Sequence, residues 1–454
     1  MIKRIGLALC GLVLLISCKK DNPTVDPPSG SGAYVQYGTP VDSVPSTVDL
    51  RMYEVNLRAF SAAGTFAGVT NRMDHIKDLG INAVWLMPIY PIGQINSVNS
   101  PYCVKDYKAV NAEYGSLANL RTLVDAAHAR GMVVMLDWVA NHTSWDNAWV
   151  TAHPDWYTQD ANGNITIPAG TNWNDVADLN YDNAAMRLAM IDAMKYWALE
   201  ANIDGFRCDY ADGVPYDFWK QAIDSLRAMP GRSFVFLAEG TRADHYTAGF
   251  DMTYSWDFYT SMKNVFTGSA ANTLYTTSNS EYASMPAGKQ KLRFTTNHDQ
   301  SAWEATPITL FNGVAGATVA SVVTTYLKGV PLIYTGQEVG RTALVPFFSN
   351  SPIDWTANAT MRTNYENFMQ FYASSITARR GYLTTFNNSD VVCFQKYLNP
   401  NKVVVIANMR NAGTTYTIPS NFQNTTFVNA LTGETVSLGT TLSLTAYQYL
   451  VLKN

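Results

Sequence analysis

Asp204-Gly205-Phe206-Arg207-Cys208-Asp209-Tyr210 is a short apolar piece that ends on an arginine and an aspartate two positions apart. In a strand, residues i and i+2 point to the same side, so Arg207 and Asp209 face one way together. An arginine beside a carboxylate keeps it ionised and fixes its direction, which is what a carboxylate nucleophile needs. A buried structural ion pair fits an isolated Arg-x-Asp equally well. Partners at other strand ends are what separate the two readings.

Outward from this stretch the chain alternates. Residues 186–200 have helical apolar spacing and lead into it; residues 218–229 are helical and lead to a strand at 233–239. Upstream, 50–56, 81–88 and 132–137 read as strands. Between them lie helices at 71–79, stopped by Gly80, and 117–130, stopped by Gly131. Downstream, strands are expected at 250–256, 292–296 and 329–334. Continuous apolar strands alternating with helices indicate a parallel sheet covered by helices, an α/β fold. About eight such units favour a closed (β/α)8 TIM barrel over an open sheet. Two regions break the rhythm. Residues 141–180 hold turn residues and four tryptophans (Trp145, Trp149, Trp156, Trp173) and read as a small insertion after the third strand. These rings suit the core of a small domain better than sugar stacking. Short alternating segments over 385–454 read as a C-terminal antiparallel β-sandwich, so the barrel spans 47–380.

Only 15% of residues are charged and 47% are hydrophobic, the balance of a globular chain. A formal net charge of -4 leaves no electrostatic footprint for nucleic acid. At the N-terminus, Lys3 and Arg4 precede an apolar run over 5–16, too short to span a bilayer and suited to an export signal. The run ends Leu15-Ile16-Ser17-Cys18, similar to a bacterial lipobox. Cys18 is therefore the expected lipidated first residue, attaching an exported protein to the envelope membrane at its periplasmic face or the cell surface. An ordinary signal peptide that contains a cysteine is the alternative. Residues 19–46 read as a polar tether. Cys103, Cys208 and Cys393 are widely spaced and imply no disulfide framework despite export.

In such a barrel the C-terminal strand ends carry chemistry. Here they read Asp137 with Asn141 and His142; Arg207 with Asp209; Glu239; and Asn297-His298-Asp299. Cleaving an acetal between sugars needs an acid to protonate the leaving oxygen and a carboxylate to capture or stabilise an oxocarbenium-like centre. Acids without a Cys/His metal cluster or an activated serine fit that chemistry, and histidines suit hydrogen bonds to neutral sugar hydroxyls. No P-loop glycine pattern is present.

These motifs together resemble the α-amylase family of glycoside hydrolases (family 13), over residues 53–338. Asp137-Trp138-Val139-Ala140-Asn141-His142, Gly205-Phe206-Arg207-Cys208-Asp209, Phe236-Leu237-Ala238-Glu239-Gly240 and Asn297-His298-Asp299 resemble its four regions. Val176-Ala177-Asp178-Leu179-Asn180 matches the short motif in the insertion, and Tyr334-Thr335-Gly336-Gln337-Glu338 the eighth strand. The resemblance implies Asp209 as nucleophile, Glu239 as general acid then base, and Asp299 as transition-state stabiliser. It implies that Arg207 orients Asp209 with Asp137 behind it, that His142 and His298 bind the same sugar, and that Tyr102 stacks under it. The implied reaction is retaining cleavage of α-1,4 bonds inside starch or maltodextrin chains. A cyclomaltodextrinase, neopullulanase-like or α-1,6-acting relative is the alternative. An inactive glycan-binding member would be expected to lack the acids, and all three are present. Ca2+ is implied at Asn141, Asp178 and a backbone carbonyl near Gly213; a metal-free, hydrogen-bonded anchor is the other reading. Asp160-Ala161-Asn162-Gly163-Asn164 has its glycine out of place for a calcium loop and reads as a hairpin turn. The family often has Lys then His three and four residues past the nucleophile; here these are Asp212 and Gly213.

Overall fold

The computed structural model describes residues 34–454. The leader, Cys18 and residues 19–33 lie outside the described residues. Eight parallel strands close a barrel: β1 (Met52–Val55), β2 (Ala83–Leu86), β3 (Val133–Trp138), β4 (Gly205–Cys208), β5 (Val235–Ala238), β6 (Met252–Tyr254), β7 (Gln290–Arg293) and β8 (Val330–Tyr334). Each pairs with its sequence neighbour, and β1 closes on β8 through Met52 beside Leu332. The strand expected near 250–256 is present as β6, between β5 and β7.

Apart from β7, whose outer face carries Lys291 and Arg293, the strands are largely apolar on both faces because each face meets a different core. Met52, Val133, Met135, Leu237, Leu292 and Leu332 fill the barrel interior, while Tyr53, Val84, Val134, Phe206, Phe236 and Ile333 meet the helices outside. Polar residues enter the interior only toward the carboxyl ends, as Glu54, Asp137 and Arg207. Asp137 and Arg207 are direct neighbours in the β3–β4 register. Helix Leu117–His128 shows how local sequence sets a boundary. Ser116 and Asn119 form a reciprocal cap at its start, and Gly131, at φ 69°, turns the chain after it. The β5–β6 crossover keeps only the one-turn helix His245–Ala248.

The insertion holds a two-stranded antiparallel sheet, His142–Ser144 with Val176–Asp178. The segment 160–164 is a turn, with Asp160 Oδ1 accepting the amides of Asn162 and Asn164. Trp149 and Trp156 pack edge to face in the core of this region. The C-terminal unit is a six-stranded antiparallel sheet beginning at Tyr382, just before the boundary expected at 385, with the two-stranded sheet Thr414–Thr417 and Thr441–Leu444. Val392, Phe394, Val403, Val405 and Val451 on one face join the core outside the barrel. Val391, Cys393, Val404 and Ile406 on the other face pack with Phe422 and Leu444. Tyr275 OH bonds the main-chain N–H and C=O of Cys393, at 2.7 and 2.9 Å, and ties the units together. Cys103, Cys208 and Cys393 are free and buried.

The tether reading fails for residues 34–46. Tyr34 donates to Asp192 at 2.5 Å, Tyr37 to Asp125 at 2.5 Å, and Val41 and Val44 pack against the barrel interior core. Two tyrosines and two valines among polar residues are enough to dock a segment that overall composition marks as a linker. Among the described residues, no helix is long and apolar enough to cross a membrane.

Candidate active site

Arg207 organises the carboxyl end of the barrel. It points inward from β4, fully buried, with its guanidinium facing the rings of Trp85, Tyr254 and Tyr102. Its Nη1 donates to Asp137 Oδ1 at 2.9 Å and to Asp209 Oδ1 at 2.8 Å, and its Nε to Tyr254 OH at 3.2 Å. Its Nη2 lies 3.0 Å from Glu239 Oε2, close enough for charge attraction but poorly directed for a hydrogen bond. One cation thus faces three carboxyls.

The loops after β4 and β5 bring Asp209 and Glu239 together. Tyr210 takes a left-handed backbone, φ 41°, and its N–H donates to Glu239 Oε2 at 2.8 Å. A non-glycine residue in that region carries strain of about 1 kcal/mol or more, and here it turns the chain immediately after Asp209. Asp209 and Glu239 are thereby both held at the Arg207 guanidinium, at 2.8 and 3.0 Å. Burial pushes Asp137 and Glu239 each up to about 7, against Arg207 and with neighbouring carboxyls adding to the rise. Asp209 and Asp299 are raised as well, first by burial, with Arg207 opposing.

The opposite wall comes from the loop after β7. His298 is clamped: Nδ1 meets Glu54 Oε1 of β1 at 2.5 Å, and Nε2 meets Tyr102 OH at 2.8 Å and Asp299 Oδ2 at 3.3 Å. The carboxylate on Nδ1 fixes a ring proton there. Tyr102 OH also reaches Asp137 Oδ2 at 3.1 Å, and its ring stacks on His298 with centroids 5.4 Å apart. His142 sits at the rim with Nε2 3.3 Å from the Tyr102 carbonyl; burial pushes its pKa down to about 4, so it is neutral. The expected residues Tyr102, His142, Asp209, Glu239, His298 and Asp299 all line one open cleft of about 840 Å³, with Arg207 in its floor.

Four features were not readable in the sequence. Glu54 looks like any strand residue until barrel closure sets it under His298. Trp173, expected in the core, instead lines the cleft, edge-on to His142 and Tyr210. Trp303, Phe347 and Phe348 form part of the rim. Asp212 is not among the cleft-lining residues and instead clamps the loop after Glu239. It accepts the amides of Thr241 and Arg242 and the Nε2 of buried His245, at 3.0, 3.3 and 2.6 Å. Burial raises Asp212, but these donors outweigh it and hold the carboxyl down at about 2. A side chain on Gly240 would place a Cβ 2.4 Å from Asp212 Oδ1, so only glycine fits between Glu239 and the clamp.

The residues implied as calcium ligands, Asn141, Asp178 and the Gly213 carbonyl, are all oxygen donors. Asn141 Oδ1 lies 2.8 Å from where a Cβ on Gly213 would be, so the amide oxygen faces the Gly213 backbone. Asp178 pairs in register with His142, the residue after Asn141, and its carboxyl is raised by burial, with only Thr158 opposing. Among the described residues no group of three or more His, Cys, Asp or Glu could hold a metal. The set here is one carboxylate, one amide and main-chain carbonyls. Hard oxygens of that kind suit Ca2+.

Comparison with known proteins agrees with this geometry. The profile of the alpha-amylase catalytic domain matches residues 41–381, so the chain belongs to the α-amylase family of glycoside hydrolases. The crystal structure of an alpha-amylase from Lactobacillus plantarum is similar with a TM-score of 0.80 at 30% identity, covering 90% of this chain and 99% of that one. Alpha-amylase MalA of Haloarcula japonica is 26% identical over 324 residues, 68% of this chain and 47% of that protein. A cyclomaltodextrinase of Thermoanaerobacter pseudethanolicus is 24% identical over 377 residues, 76% of this chain and 63% of that protein. The chain thus spans about half the length of the first of these two relatives and under two thirds of the second.

Proposed function

We propose that this protein hydrolyses α-1,4-glucosidic bonds within starch or maltodextrins, with retention, through a covalent glycosyl-enzyme intermediate. The observation that carries it is the unequal sharing of Arg207. Asp209 receives a well-directed guanidinium bond and stays ionised as nucleophile. Asp137, raised by burial as far as Glu239, has three donors directed at its oxygens, from Arg207, Trp85 and Tyr102. Glu239 receives one backbone N–H and a misdirected Nη2, so the proton that this crowded set must keep resides there. Holding Asp209 and Glu239 on one guanidinium belongs with direct attack on the sugar. An inverting enzyme needs about 6.5–9.5 Å to seat a water.

In the first step Asp209 attacks the anomeric carbon as Glu239 gives its proton to the leaving oxygen. In the second, Glu239 takes a proton from water, which displaces Asp209. Asp299 binds hydroxyls of the distorted sugar, His142 and His298 hydrogen-bond that sugar, and Tyr102 stacks beneath it. Asn141, Asp178 and the Gly213 carbonyl would hold Ca2+, which supplies a structural tie between insertion and barrel.

A second reading, action on cyclodextrins, pullulan or α-1,6 branches, is favoured by Asp212. Clamped beneath the β5 loop, it cannot grip a leaving-group sugar as a lysine at that position would. The purified full chain, incubated with soluble starch beside a Glu239→Gln variant, tests both. Maltooligosaccharides from the wild type and a loss of about 10³-fold in the variant are expected. Cleavage of pullulan or cyclodextrin alone would overturn the substrate, and binding without any cleavage would overturn the enzymatic reading.

A further inference from the structure

Trp303 is 64% exposed, unusual for the largest apolar side chain. It stands on Gln300–Glu304, one turn of wide helix closed by the Ala305 N–H on the Gln300 carbonyl, directly after Asp299. Such turns recur at functional sites. The ring is nevertheless well supported. It meets Phe347 edge to face at 5.7 Å and Phe348 at 5.4 Å. Phe347 in turn contacts Tyr102 at 5.9 Å and His298 at 5.4 Å, so an unbroken aromatic wall runs from the floor of the cleft into solvent.

The backbone under this wall is pinned. Arg58 Nη1 donates to the Phe347 carbonyl at 2.9 Å, Asn99 Nδ2 to the Phe348 carbonyl at 2.6 Å, and Val345 N to the Ser301 carbonyl at 3.0 Å. Glu304 accepts from Tyr259 OH at 2.7 Å and pairs with Lys263. The platform is therefore ordered before any ligand arrives, which lowers the entropy cost of binding. Its direction also follows from the site. Glu239 is bonded to Tyr210, beside Trp173, which marks that end as the leaving-group side. Trp303 belongs to the Tyr102–His298–Asp299 wall, on the side of the sugar that becomes attached to Asp209.

We propose that Trp303, carried on Phe347 and Phe348, is a stacking platform for a glucose unit at least two places beyond the one over Tyr102, on the glycone side. It gives the enzyme preference for longer chains. This rests on the α-glucan reading above. The hydrophobic face of a pyranose covers an indole well, and the ring needs no rearrangement to receive it.

The test compares Trp303→Ala and Trp303→Phe with wild type on maltoheptaose and on 4-nitrophenyl α-maltoside, which offers too few sugars to reach Trp303. The loss of kcat/KM for Trp303→Ala is expected to be about tenfold greater on maltoheptaose than on the maltoside, carried by KM, with Phe restoring most of it. Equal losses on both substrates, or none on either, overturn the platform. If wild type cleaves no α-glucan, the functional reading fails separately. Calorimetric binding of maltoheptaose to Glu239→Gln, with and without Trp303→Ala, then decides. About tenfold weaker binding in the double variant supports the platform; unchanged or absent binding overturns it.

Discussion

Two fully buried arginines, Arg207 and Arg293, sit on strands of the same barrel and do opposite things. Arg207 faces inward, one cation among Asp137, Asp209 and Glu239. Arg293 faces outward from β7 and meets one carboxylate, Glu281, at 2.5 Å, then Ser278 Oγ, the Lys328 carbonyl and the Phe258 ring. At Arg293 charge is balanced and donors are satisfied, so the group is structure. At Arg207 the carboxyls exceed the cation, protons must be retained, and reactivity follows. Burial alone creates neither; the local charge count decides.

Substituting each arginine by methionine gives the largest effect. Arg207→Met frees Asp209 and Asp137 from their orienting partner, and kcat on starch should fall by about 10²-fold or more. Arg293→Met strands Glu281 and should cost about 3–5 kcal/mol of unfolding free energy in urea, while the folded fraction keeps its kcat. A fall in kcat of similar size for Arg293→Met would break the contrast.

The pH profile sharpens it. As the proposed acid, Glu239 works protonated and is raised to about 7, so kcat/KM should fall as pH rises through that value. As the proposed nucleophile, Asp209 works ionised and is also raised by burial, so the acid limb should lie above the usual carboxylate range. Both limbs should move up in Arg207→Met, because Arg207 opposes the effect of burial, and stay in place in Arg293→Met. The raised Glu239 also lowers stability as pH climbs from 4.5 toward about 7, where the folded chain still holds a proton that the unfolded chain has released.

The smallest effect is expected at the oxygen ligands, where an ion in place of an arginine would balance the charge. Chelation should lower Tm by a few degrees, equivalent to about 3 kcal/mol at a hundredfold excess of Ca2+ over Kd. Asp178→Asn should remove the difference. An unchanged Tm with chelator would leave a hydrogen-bonded anchor instead.

Much of the site was legible because strand periodicity is local. The i, i+2 spacing of Arg207 and Asp209, the apolar run before Glu239 and the Asn297-His298-Asp299 turn are each contained in a few residues. Glu54 was not legible, because nothing near it marks a partner for His298. The docking of Tyr34 and Tyr37 was hidden by a composition that averages to a linker. Trp303 was one tryptophan among eleven until its exposure was known.

The amino-acid sequence by itself determined the barrel, the family and the carboxyls at the strand ends, since alternation and turn chemistry act between near neighbours. Only the tertiary structure decided which carboxyl shares Arg207 least, where Asp212 is spent, and which aromatic rings reach the cleft. Those depend on loops far apart in the chain being held at a few ångströms, and on water being excluded between them. At that separation, in that dielectric, the direction of a single nitrogen changes how firmly a carboxyl is held.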